Sequence, residues 1–199
     1  MAVCSSSARC HAPHGNGGRG AGEPGIQEEK KCAMNRHEKY MKIALDQARQ
    51  ALVLGDFPVG CVFEYRDEIV ATGRRFNSFG RVNEMDHAEM VALRALFDSD
   101  RRLDIGEITV YSTMEPCLMC FATLLVNGVR KIVYSYEDAM GGGTNLPLRM
   151  LSPLYRDLEV EITGAILREQ GLALFKEFFA NPENNYLADS LLAAYTLKQ

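Results

Sequence analysis

From Asn35 to Leu54 the apolar side chains recur at helical spacing, at Tyr40, Met41, Ala44, Leu45, Ala48, Ala51 and Leu52. The period then changes. Val59 to Tyr65 reads as a strand, Arg66-Asp67-Glu68 as a turn, and Ile69 to Thr72 as the returning strand of a hairpin. Ala88 to Phe97 is helical again, with Met90, Val91, Leu93 and Leu96 as its apolar positions. Ile108 to Ser112, Lys131 to Tyr134 and Leu158 to Ile162 predict further strands. A helix opening at Pro116 separates the first two of these, and Leu167 to Phe179 predicts another helix. Strands alternating with helices predict an α/β architecture, one sheet covered by helices. Past the last of these elements, Leu187, Leu191, Leu192 and Tyr195 form an apolar stripe within residues 181–199. We read it as a capping helix that packs on its own chain or on a partner copy, and that could close over a small substrate.

Residues 1–33 differ from all this. They are rich in Gly, Ser, Ala and Cys and have no apolar period, so they cannot bury enough surface to offset their ordering entropy; disorder is expected. They hold no continuous apolar core of a secretory signal. Acidic residues are absent before Glu23, which leaves an organelle-targeting reading open, and a start at Met34 is the plainer alternative. Cys10, His11 and His14 could touch a metal, but a floppy tail is a poor place for one.

The 199 residues, 47% of them hydrophobic, suit one soluble domain over residues 34–180 followed by the cap. No apolar run approaches the 18 or so residues of a membrane span. A formal net charge of −4 argues against a broadly basic nucleic-acid surface, though not against a local patch. Thiols are paired at one place and single elsewhere, as in a reducing compartment, so cytoplasm is the expected location. Cys61, between Gly60 and Val62, reads as a small core residue.

The chemistry sits in two short motifs. His87-Ala88-Glu89 opens one helix, and Pro116-Cys117-Leu118-Met119-Cys120 opens another. His87, Cys117 and Cys120 offer a zinc ion three ligands. Structural zinc sites are closed by four, whereas hydrolytic sites keep a position for water. Pro116 suits a first helical position, which would put Cys117 and Cys120 on one face of that helix. A redox Cys-x-x-C pair would not account for His-x-Glu, and a structural zinc would need another ligand.

These motifs, His-x-Glu with Pro-Cys-x-x-Cys, resemble the signature of the cytidine deaminase-like superfamily. Residues 87–94 (HAEMVALR) and 112–120 (STMEPCLMC) are most similar to tRNA adenosine deaminases and the related guanine, cytosine and nucleoside deaminases. The resemblance runs from about Met34 to about Phe179. It implies a three-layer α/β/α sandwich around a five-stranded mixed sheet, and one zinc per chain held by His87, Cys117 and Cys120. Zinc can lower the pKa of a bound water from about 15.7 to about 7. Glu89 is then expected to be the catalytic proton carrier, moving a proton from water to a ring nitrogen and helping ammonia leave.

Substrate residues are less sharply marked. The resemblance points to an Asn in the loop Gly73 to Asp86; Asn77 fits best and Asn83 is its rival. It also points to the backbone N–H of Ala88 as a partner for a ring carbonyl. Phe57 could wall the pocket or belong to the core. Gly141-Gly142-Gly143 could form an anion nest or a flexible loop. Asp86, Phe121 and the loop Glu137 to Thr144 depart from the tRNA adenosine deaminases, and residues 181–199 contain a single Lys, Lys198. The expected substrate is therefore a small nucleobase or nucleoside, with a tRNA wobble adenosine as the alternative and a silent binding module as the reading from another class. A homodimer is expected.

Overall fold

The computed structural model describes the backbone of residues 24–78, 80 and 82–199, and side chains from Met34 onward. The chain divides into two compact units, Met1–Arg36 and His37–Gln199. In the first, the described backbone belongs to α1 (Pro24–Val53). The disorder expected for residues 1–33 lies outside the described residues up to position 23, and from Pro24 the backbone is helical. Pro24 at the helix start and the good helix formers Gln27, Glu28, Glu29, Lys30 and Lys31 favour a helix without an apolar period. An apolar-period reading is blind to that.

The second unit is built on a five-stranded sheet in the order β2-β1-β3-β4-β5. Its strands are β1 (Gly60–Tyr65), β2 (Glu68–Arg74), β3 (Thr109–Met114), β4 (Lys131–Tyr136) and β5 (Glu161–Thr163). β1 runs antiparallel to both β2 and β3, whereas β3, β4 and β5 are parallel. Arg66 and Asp67 turn the β1–β2 hairpin with φ of 49° and 70°, the positive values that a two-residue hairpin of this hand requires. β3 and β4 outrun their expected ends by two residues each. Thr113, Met114, Ser135 and Tyr136 are buried there, and the hydroxyl side chains had masked the strands.

Helices cover both faces. Val62, Tyr111 and Val133 point to one side and pack on Tyr40, Met41 and Ala44 of α1. Cys61, Phe63, Val110 and Ile132 point to the other, into a larger core. That core is shared by α2 (Ala88–Phe97), α3 (Leu118–Val126), α5 (Arg168–Ala180) and α6 (Leu191–Lys198); α4 (Pro153–Arg156) is a single exposed turn. This is the expected three-layer α/β/α sandwich with a mixed sheet.

Two glycines set how closely the layers approach. A Cβ on Gly60 would lie 2.1 Å from the Ala44 carbonyl oxygen, and one on Gly73 would lie 2.2 Å from that of Ala88. α2 can therefore seat its first turn directly against β2, and that seating places His87. At the other end of the chain the stripe is only partly as expected. Leu192 is buried and Leu187 and Tyr195 pack against the core, but Leu191 is 62% exposed. The helix starts only at Leu191, with the Ser190 hydroxyl accepting from the Ala193 N–H, so Leu187 lies outside it. No described helix is long and apolar enough to cross a membrane.

Candidate active site

Two helix N-termini meet beyond the carboxyl end of β3. His87 is the N-cap of α2 and Cys117 the N-cap of α3, both in extended backbone. Pro116 therefore precedes the helix instead of opening it, and Cys117 does not share a helical face with Cys120. An extended cap residue turns its side chain across the helix mouth, which lets Cys117 reach His87. The Gly143 N–H donates to the Pro116 carbonyl at 2.9 Å and holds this turn.

The ligand atoms of His87, Cys117 and Cys120 all lie within 4.8 Å of one another, and among the described residues no other His, Cys or carboxylate joins the group. His87 Nδ1 is 3.5 Å from Cys117 Sγ and 3.4 Å from Cys120 Sγ. A tetrahedral zinc, with Zn–N near 2.05 Å and Zn–S near 2.3 Å, sets N and S about 3.6 Å apart. The donor set and its spacing fit a zinc ion. The two thiols are driven apart in acidity. A hydrogen bond from Cys120, with His87 alongside, pushes the Cys117 thiol down to about 4 against its partial burial. Cys120 is pushed up by that same bond and by burial.

Glu89 lies in the first turn of α2 and is 3% exposed. Its Oε1 accepts from the Ser112 hydroxyl at 3.1 Å, and its Oε2 is 3.6 Å from Cys120 Sγ. Burial, with Cys117 adding to it, raises its carboxyl above the ordinary range despite the opposing pull of His87. Ser112 is paired with Cys61 across β3 and β1, so Glu89 stands on the sheet directly over that pair. Cys61 is fully buried core, as expected, and burial beside Glu89 drives its thiol well up.

The loop before His87 is organised by Asp86. Its carboxylate accepts from Asn77 Nδ2 at 2.8 Å, from Asn83 Nδ2, and from Arg94 Nη1 at 3.1 Å. Asn77, at φ 58°, is exposed, and neither it nor Asn83 lines the cavity beside the motifs. Ala88 does line it. As the first residue of α2 it carries one of the N–H groups that a helix leaves unpaired.

The cavity holds about 250 Å³ and has Glu89, His87 and Cys117 in its wall. Phe57 belongs to both its wall and the core, packing on Phe175, Phe178 and Tyr186. Leu187 and Leu192 of the C-terminal segment also line it. Among the lining residues that the sequence reading did not single out are Arg75, Glu84 and Tyr186. Arg75 is 2% exposed; its Nη1 donates to the Asn83 carbonyl at 2.8 Å and its Nη2 to Glu84 at 3.0 Å. Its Nε is buried without a hydrogen-bond partner. Tyr186 donates to the same Glu84 oxygen at 3.0 Å. A charged residue within three positions of His87 was the available signal for Glu84; nothing local marked Tyr186, which lies 102 positions from Glu84.

The glycine loop does not form the anion nest. The Met140 and Gly141 N–H groups donate to Asp138 Oδ1, that of Gly142 to the Asp138 carbonyl, and that of Thr144 to Glu115. With Gly143 bound to Pro116, these donors are engaged within the protein and do not form an anion nest. The glycines serve close packing: a Cβ on Gly143 would lie 2.7 Å from the Leu118 backbone, and one on Gly142 would meet the Glu115 carboxylate at 2.6 Å.

Residues 34–136 match the cytidine and deoxycytidylate deaminase zinc-binding region. The "tRNA-specific adenosine deaminase 2" of Xenopus tropicalis is 31% identical over 160 residues, covering 74% of this chain and 91% of that one. The "tRNA-specific adenosine deaminase subunit tad2" of Schizosaccharomyces pombe is 29% identical over 145 residues. That match covers 72% of this chain but only 37% of the yeast protein. Among solved structures, NE0047 in complex with 2,6-diaminopurine superposes with a TM-score of 0.58 at 20% identity, covering 73% of this chain and 82% of that one. It shares the fold.

Proposed function

The chain belongs to the family of the cytidine and deoxycytidylate deaminase zinc-binding region, and on that footing we propose that it hydrolyses the exocyclic amine of a free nucleobase or nucleoside, releasing ammonia. The observation that carries this reading is the cavity. At about 250 Å³ it falls just below the roughly 300–1,000 Å³ of drug-sized pockets. A single base fits within such a volume, and Leu187 and Leu192 of the C-terminal segment form part of its wall.

In this reading His87, Cys117 and Cys120 hold the zinc, which when bound supplies a water acidic enough to attack at neutral pH. Glu89 takes the proton and delivers it to the ring nitrogen. Ser112 fixes the carboxylate for that transfer through its 3.1 Å hydrogen bond. The Ala88 N–H donates to a ring carbonyl. Arg75 brings a cationic guanidinium to the cavity wall. Phe57, Leu187 and Leu192 exclude bulk water and strengthen each of these interactions. Asn77 is tied to Asp86 and does not line the cavity, so the role expected of it requires its loop to move toward the substrate.

A second reading, deamination of adenosine in tRNA, is supported by the names of the curated relatives. One assay separates the two: ammonia release by the zinc-loaded protein over free bases, nucleosides, nucleotides and an anticodon stem-loop. Turnover of a small compound without inosine in the RNA supports the first reading; inosine in the stem-loop alone replaces it with the second.

A further inference from the structure

One oxygen of Glu84 gathers three groups from three parts of the chain. Its Oε2 lies 3.2 Å from His87 Nε2, and accepts from Arg75 Nη2 and from the Tyr186 hydroxyl, each at 3.0 Å. Arg75 leads out of β2, His87 caps α2, and Tyr186 lies in the segment between α5 and α6. His87 Nδ1 faces both thiols, so Nε2 is the nitrogen left for a second partner, and a carboxylate there makes it the protonated one. We propose that Glu84 is a positioning residue of the metal centre. It holds the His87 ring from its Nε2 side and ties that grip to the C-terminal segment through Tyr186. The inference rests on the reading of His87, Cys117 and Cys120 as zinc ligands.

The plainer role for Glu84 is to neutralise Arg75, a buried cation. The geometry asks for more. Arg75 is already anchored on the Asn83 carbonyl, and its ring partner is Tyr186, 5.4 Å from guanidinium to centroid. Tyr186 in turn packs on Phe57, at 5.4 Å between centroids. The Glu84 oxygen is thus held from behind by two fixed donors and presented to the imidazole. Carboxylates placed in this way orient a ligating His and raise its basicity, and their loss weakens metal binding by about 10- to 100-fold. Glu84 is 57% exposed, so water competes for it; Tyr186 and Arg75 are what keep it in place.

The test is zinc affinity of the purified protein, measured by competition with a chromophoric chelator, together with the visible spectrum of the cobalt(II)-loaded form. Glu84→Ala should weaken zinc binding about 10- to 100-fold and shift the cobalt bands. Glu84→Gln, which keeps an acceptor for Nε2 but not the charge for Arg75, should recover most of both. Tyr186→Phe, which removes one hydroxyl, should weaken zinc several-fold. If Glu84 serves Arg75 alone, Ala and Gln will lower the melting temperature equally while affinity and spectrum stay as in the parent, and the proposal is overturned. Should Glu84→Ala fail to fold, the Gln and Phe variants decide. A parent protein that binds no zinc would instead bring down the metal reading itself.

Discussion

The Ser112 hydroxyl, at the centre of β3, donates to the Glu89 carboxylate at the start of α2 across 3.1 Å of fully buried space. A strand of the sheet therefore aims the proposed proton carrier from behind. Hydrogen bonds to charged groups are worth about 1.5–3 kcal/mol. Ser112→Ala should lower kcat by about 10- to 100-fold, because the carboxylate loses both its aim and a partner. Zinc content should stay at one per chain. Metal loss in this variant would show that Ser112 supports the ligands and not Glu89.

The proposed proton carrier and the metal should be separable by substitution. Glu89→Gln keeps the shape of the side chain and its acceptor for Ser112, so it should bind zinc while kcat falls by at least 10²- to 10⁴-fold. Cys117→Ala removes one of three donors and should leave the purified protein without zinc. Metal analysis beside ammonia release checks both. Residual turnover near the parent level in Glu89→Gln would remove Glu89 from the mechanism.

These assignments were legible in the sequence because the metal motifs are local. His87 and Glu89 lie two positions apart and Cys117 and Cys120 three apart, and each pair fits within a helix turn. The fold was legible for a related reason, the change between helical and strand periods along the chain. What escaped was how irregular loops fold around single side chains. Arg75 reads as one more charge at a strand end until the Asn83 carbonyl, Glu84 and Tyr186 close around it. Asn77 reads in the sequence as a loop amide, and the fold adds its hydrogen bond to Asp86 nine positions on. Pro116 fits a first helical position equally well in sequence; the displacement of the helix start to Leu118 comes from the pairing of Cys117 with Gly142.

That pairing makes the glycine loop a structural support of the site. A Cβ on Gly143 would lie 2.7 Å from the Leu118 backbone nitrogen and 2.9 Å from the Cys117 carbonyl carbon, so backbone has to move. Gly143→Ala should cost about 1–3 kcal/mol of stability, the usual range for an overpacked site. It should also weaken zinc binding, since the atoms displaced carry Cys117. Thermal unfolding and chelator competition read the two effects. Gly80→Ala, where nothing lies within 4 Å but φ is +70°, is the control that should lower stability and leave zinc affinity alone.

The C-terminal helix is pinned by Glu137, and acid should unpin it. The Glu137 carboxylate accepts from Arg168 Nε at 2.9 Å and from the Tyr195 hydroxyl at 2.8 Å. Partial burial alone would raise its pKa, but Arg168, its own backbone N–H and Tyr195 outweigh that and hold it below its ordinary 4.5. A carboxyl depressed on folding adds stability that is present in full above its unfolded pKa and is lost as pH falls through the folded one. Glu137→Gln should therefore melt below the parent at neutral pH, and the gap should close once the pH drops under about 4.5 toward the depressed value. Taking the difference at each pH cancels acid loss of the metal, which affects both proteins alike. Tyr195 belongs to α6, whose Leu192 lines the cavity, so proteolysis near Leu192 should quicken in Glu137→Gln at neutral pH. A gap that stays constant from pH 7 down to pH 3 would show that Arg168 and Tyr195 do not depend on the charge of Glu137.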